Sequence, residues 1–189
     1  MKLKSDNVLL TPLDESDLDY IHSITSDYSY LSKTFPSFVR SKVYWQKRFE
    51  ETGLWSQEYG MLKMSSIDES RPFGIIWFFN PWQSNHMSGI EIAFRILDKH
   101  LLTDDNMLYD SIKIFCAYIF ETYPYPRIQF NTLLKKRNNM NEISLAKKTG
   151  FRYEGTQKKI YYCRGKYQDM HLFSLVREES EPLNELLDK

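Results

Sequence analysis

A chain of 189 residues, 42% of them hydrophobic, is long enough to close one core and short for two domains. Its 25 basic and 25 acidic residues cancel, which excludes a broad electrostatic pull on nucleic acid or anionic membrane. No stretch approaches the ~18 apolar residues of a membrane span, and no signal-peptide-like run opens the chain. The two cysteines, Cys116 and Cys163, lie far apart without metal or redox spacing, so a reducing cytoplasm is the expected setting and Cys116 reads as a small core residue.

Lys4 to Leu13 reads as a first strand. Pro12 and the run Asp14-Glu15-Ser16-Asp17 signal a helix start, with acids at the positive dipole end and Leu18, Ile21 and Ile24 on the buried face. An irregular aromatic loop runs from Ser26 to Arg40. Lys42 to Glu51 reads as a second helix, stopped near Gly53. Tyr59 to Ser65 and Phe73 to Phe79 are strands, with the turn at Asp68-Glu69-Ser70 and Pro72. Gly74 to Phe79 is almost wholly apolar and is expected at the centre of a sheet. A loop runs from Pro81 to His86.

Gly89 to Leu97 alternates most cleanly. Ile90, Ile92, Phe94 and Ile96 share one face, and Glu91, Ala93 and Arg95 share the other. Leu108 to Thr122 is a long helix with Leu108, Ile112, Phe115 and Ile119 along one stripe. Arg127 to Leu133 is a further strand. Over Asn141 to Phe151 the spacing predicts a short helix burying Met140, Ile143 and Ala146, stopped by Gly150 in the left-handed conformation. Phe151 and Tyr153 begin a closing hairpin. The segment 179–189 is a charged tail, leaving 1–178 as the domain. Strand, two helices, three strands, helix, strand, helix and two strands make a mixed α/β order.

Asn141 and Ser144 are followed after five residues by Gly150-Phe151, then by Glu154-Gly155, by Gly165 with Asp169, and by Arg177-Glu178. This spaced series resembles the end of the GNAT acyltransferase fold, in particular its RimJ/RimL-like branch. The resemblance implies a single α/β (α+β mixed) domain, with a mostly antiparallel mixed sheet of about seven strands and about four helices. It also implies an N-acyltransferase that moves an acetyl or other acyl group from acetyl-CoA, or another pantetheine thioester, to a primary amine. The amine would belong to a small molecule or a peptide, with an acyl carrier protein as an alternative donor. No metal, nucleic-acid or membrane partner is implied, and the chain is expected as a monomer or homodimer.

The resemblance assigns sites residue by residue. Glu91 is the expected base, with Glu154 a second candidate. Ser144 is the expected proton donor to the leaving thiolate. The donor would lie against Phe94, Arg95, Ile96, Asn106, Met107 and Leu108, and against Asn141, Ser144 and Lys147. The acceptor would meet Tyr30, Phe35, Trp77, Trp82 and Glu154. The family's phosphate turn carries glycines where this chain has Asp104 and Asn106. Two readings of that turn follow. A thioester still binds, held by the Phe94–Ile96 edge with Lys135, Lys136, Arg137 and Lys147, or by a donor with one phosphate. Alternatively, the fold has lost CoA chemistry and serves as a binding or regulatory module.

Overall fold

The computed structural model describes residues 1–27, 40–68, 71–81, 89–102, 104–133, 142–163 and 165–187; the side chains of 24, 25, 105 and 163 are not described. The region expected as one first strand is a small hairpin, β1 (Leu3–Lys4) against β2 (Val8–Pro12). The chain reverses because Ser5 Oγ accepts the N–H groups of Asn7 and Val8, a side-chain-stabilised turn within the run. Helix α1 (Glu15–Thr25) follows, with Asp14 Oδ1 accepting the N–H of Ser16, and it buries Leu18 and Ile21. Helix α2 (Lys42–Thr52) is capped by Ser41 and stopped by Gly53 at φ 61°, as the glycine predicts.

Strands β3 (Tyr59–Ser66), β4 (Gly74–Phe79) and β5 (Ile90–Ile96) form an antiparallel run, with β4 fourth among eight strands. Helix α3 (Asp105–Thr122) starts three residues before the expected Leu108. Strand β6 (Arg127–Thr132) follows, then α4 (Glu142–Lys148) and the long hairpin of β7 (Arg152–Cys163) and β8 (Lys166–Val176). The sheet runs β1-β2-β3-β4-β5-β6-β8-β7. Every pairing in it is antiparallel except β5 with β6. The connection between those two is α3, as a parallel pair requires.

Alternation of side chains across the pleat sends the apolar residues to two layers. One face packs Ile90, Ile92, Phe94, Ile128, Phe130 and Phe173 against α3 and α4. The stripe expected for α3 is buried as read: Leu108, Ile112, Phe115 and Ile119 are at most 2% exposed, and Cys116 lies among them. The other face packs Met61, Ile75 and Leu97 with Leu18 and Ile21 of α1, flanked by Trp45, Phe49 and Trp77. Of the residues expected to be buried by the short helix α4, Ala146 is fully buried and Ile143 is half-buried against the main core, while Met140 lies outside the described residues. Leu145 and Glu142 are buried as well, where the helix packs on β6 and β7. Gly150 ends it at φ 90°, and Phe151 enters the core.

The segment after β8 is structured. Arg177 donates to the carbonyls of Phe120, Tyr123 and Tyr125, placing a cation on the open end of α3. The residues expected as a tail carry helix α5 (Leu183–Leu186), whose Leu183 and Leu186 pack against the main core. Among the described residues no helix is long and apolar enough to cross a membrane.

Candidate active site

The sheet opens at its one parallel pair. β5 and β6 are in register at Ile90 with Ile128 and at Glu91 with Gln129, and among the described residues the ladder ends there. Both strands continue, β5 to Ile96 and β6 to Thr132, with no further pairs between them. Each is held by its outer neighbour instead: β5 by β4 up to Ile96, and β6 by β8 up to Thr132. The carboxyl ends of two parallel strands therefore part. In open α/β sheets that is where ligands enter. Phe94 and Phe130 stack across the gap on the core face, with ring centroids 5.9 Å apart, and give it an aromatic floor.

Glu91 stands at the last paired position before the gap, on the face away from that floor. Its carboxylate accepts a hydrogen bond from Nδ2 of Asn131, at 2.9 Å, from the neighbouring strand. Burial raises its pKa from the ordinary 4.5 to about 7; the Asn131 bond works against that rise. Asn131 rather than Arg95 is its partner, since four residues along a strand separate Glu91 from Arg95 by about 13 Å. Asn131 was absent from the expected site. Its signal was present in the alternation of Arg127 to Thr132, which sets Ile128 and Phe130 inward and Asn131 on the face of Glu91.

Glu154 is held differently. It accepts from Arg127 Nη2 and Ser174 Oγ, each at 2.7 Å. Burial alone would raise its pKa, but the hydrogen bonds from Ser174 and Arg127 outweigh that and hold it below the ordinary value. A carboxylate held ionised by a salt bridge is a weak proton acceptor, whereas one near neutrality is matched to the task. The two carboxyls are thereby shifted in opposite directions.

Ser144 is half-buried in the third position of α4, the helix that packs on β6 and β7. Helix α4 lies on the floor side and Glu91 on the other, so the gap between β5 and β6 separates them. Phe94 and Arg95 are each 8% exposed, on opposite faces, and Ile96 is half-buried against the core. Met107 and Leu108 are core residues. Lys147 is exposed near the end of α4. Trp77 is half-buried in the second cluster, on the face of Glu91. Tyr30, Phe35, Trp82 and Asn141 lie outside the described residues, as do Lys135, Lys136 and Arg137.

The turn between β5 and α3 closes on itself. Asp104 is the N-cap of α3: Oδ1 accepts the N–H of Asn106 and Oδ2 accepts its Nδ2, both at 2.9 Å. The Asp104 carbonyl accepts the N–H of Met107 at 3.1 Å. Upstream, Asp98 Oδ1 accepts the N–H of His100 at 2.9 Å. A diphosphate at a helix N-terminus needs such amides unpaired. The parted strands suit an extended amide-bearing arm; this turn does not suit a diphosphate. Among the described residues no cluster of three or more His, Cys, Asp or Glu could hold a metal.

The mixed sheet, parted at its parallel pair among the described residues, has the fold of the GNAT acetyltransferases. Solved structures with it include a spermidine N-acetyltransferase from Vibrio cholerae in complex with CoA and spermine, at TM-score 0.73 and 15% identity, covering 92% of this chain and 97% of that one. The RimL ribosomal-protein α-N-acetyltransferase in complex with coenzyme A matches at 0.73 and 17%, covering 93% and 98%. A GNAT-family acetyltransferase from Bacillus anthracis matches at 0.71 and 18%, covering 95% and 100%. No family model matches the sequence, and no curated protein matches it.

Proposed function

We propose that the protein is an N-acyltransferase that moves an acyl group from a pantetheine thioester to a primary amine. The observation that carries this reading is Glu91, a carboxyl held near neutrality where two parallel strands part. A base with that pKa takes a proton from an alkylammonium without being permanently ionised. The freed amine forms a C–N bond to the thioester carbonyl carbon as the C–S bond breaks. Ser144 gives its proton to the departing sulfur, and the nitrogen, left cationic by the attack, gives up its second proton through water to restore Ser144, so a thiol and a neutral amide leave. Holding the two substrates on either side of one gap supplies much of the acceleration. The fold's likeness to enzymes whose names specify spermidine or a ribosomal protein supports an amine acceptor, small or peptidic.

The test is transfer of radiolabelled acetyl from acetyl-CoA and from S-acetyl pantetheine to a panel of polyamines, amino acids and peptide N-termini. Labelled amide is the expected product. Ser144→Ala should lower kcat by about a hundredfold with KM little changed, the size of effect a positioned proton donor gives. Full activity in that variant would remove Ser144 from the reaction. A second reading, a fold kept only for binding or regulation, is favoured by the self-capped turn of Asp104; it predicts no labelled amide from any thioester.

A further inference from the structure

We propose that this chain draws its acyl group from a phosphopantetheine thioester without engaging a diphosphate, the form of donor borne on the arm of an acyl carrier protein. The inference rests on the acyltransferase reading and names its donor. Recognition lies in the pantetheine segment, and the nucleotide end of CoA contributes nothing.

Two independent features lead there. The first is the start of α3. A helix that follows one of two parallel strands begins at their carboxyl ends, beside the gap, where a bound diphosphate would meet it. Here the amides of Asn106 and Met107 are both taken by Asp104, and the Asp104 carboxylate is itself an anion at that place. No glycine occurs between Gly89 and Gly150, so nothing in the turn permits the close backbone approach that diphosphate cradles use.

The second feature is the far side of the gap. Past Glu91 and Gln129 the backbones of β5 and β6 share no ladder among the described residues, each strand being paired only with its outer neighbour. Their facing backbone groups are left to an extended arm with two amide groups, which offers them donors and acceptors as an added strand does. On the Glu91 face of that opening Asn131 Oδ1 has no hydrogen-bond partner among the described residues, whereas the unpartnered Thr132 Oγ1 lies on the opposite, core face. The site is furnished for pantetheine and closed to diphosphate. The bonds exchanged are unchanged: the thioester C–S bond breaks, the C–N bond forms, and the thiol leaves on the carrier.

The experiment uses the full chain and calorimetry with acetyl-CoA, S-acetyl phosphopantetheine, acetylated holo carrier protein and adenosine bisphosphate. The expected result is that acetyl-CoA and S-acetyl phosphopantetheine bind within about threefold of one another, and that millimolar adenosine bisphosphate displaces neither. Asp104→Gly keeps a tolerated N-cap while freeing the Asn106 amide, and should tighten acetyl-CoA by about fivefold and leave S-acetyl phosphopantetheine within about twofold. A carrier-bound acetyl group transferred faster than the free arm identifies the carrier as the source; equal rates identify a soluble thioester of the same chemistry. Acetyl-CoA binding about tenfold or more tightly than S-acetyl phosphopantetheine overturns the inference and leaves the acyltransferase reading standing. Absence of binding by every thioester overturns both. Should Asp104→Gly fail to fold, the ligand series on the unaltered chain still decides.

Discussion

Replacing Glu91 by Gln separates the cost of burying this carboxyl from its use. In the folded chain the group titrates at about 7, against the ordinary 4.5 of the unfolded chain. The linkage sign follows from proton counts. Below about pH 4.5 both states hold the proton and burial costs nothing. Between 4.5 and 7 the unfolded chain ionises first, so stability falls as pH rises. Above 7 the penalty is complete, about 3 kcal/mol at about 1.4 kcal/mol per tenfold change in the equilibrium. Glutamine keeps an oxygen that accepts from Asn131 Nδ2 and never ionises. Glu91→Gln should therefore match the parent in urea titrations near pH 4 and exceed it by about 2–3 kcal/mol near pH 8.5. The same variant should lose acyl transfer. Stability differences that do not change with pH, or a variant less stable than the parent at alkaline pH, would refute the account of Glu91.

Asn131→Ala removes the one hydrogen bond that lowers the Glu91 pKa, so the rising limb of kcat/KM against pH should move to a higher midpoint; a downward move would show that Asn131 acts otherwise. Arg177→Ala strips the cation from the carbonyls of Phe120, Tyr123 and Tyr125 and should cost about 2–4 kcal/mol in urea unfolding, with little of that loss if the α3 end is satisfied by water. At Gly74 an added Cβ would lie 2.5 Å from Met64 Cε and 2.7 Å from the Arg95 carbonyl oxygen, which cannot swing aside. Gly74→Ala should cost about 1–3 kcal/mol, and an unchanged urea midpoint would contradict this packing.

The same pleat that made β5 legible also hid the partner of Glu91. Period-two alternation marked both strands, because side chains on a strand alternate whatever lies beside it. The helices that carry long apolar stripes were equally legible, and α3 buries every residue of its stripe. Local chemistry at glycine was reliable too: Gly53 and Gly150 stop helices in the conformation that other residues avoid. The short α4 was legible in part: Ala146 and Ile143 face the main core as their spacing predicts, while the burial of Leu145 and Glu142 came from docking on β6 and β7, which seven residues hold too few turns to foretell. The first strand was read whole because Ser5 breaks it through side-chain hydrogen bonds, which hydropathy does not register.

By itself the sequence determined the order of elements, the face on which Glu91 lies and the absence of glycine from the turn before α3. Those properties belong to single residues or to one strand or helix. Only the tertiary structure decided that β5 and β6 part after Glu91, that Asn131 reaches Glu91 from β6, and that Glu154 is tied to Arg127. Each of these depends on register between strands distant in the chain, and register is set by packing over the whole sheet. The raised pKa of Glu91 and the lowered one of Glu154 follow from that register, not from the residues' type.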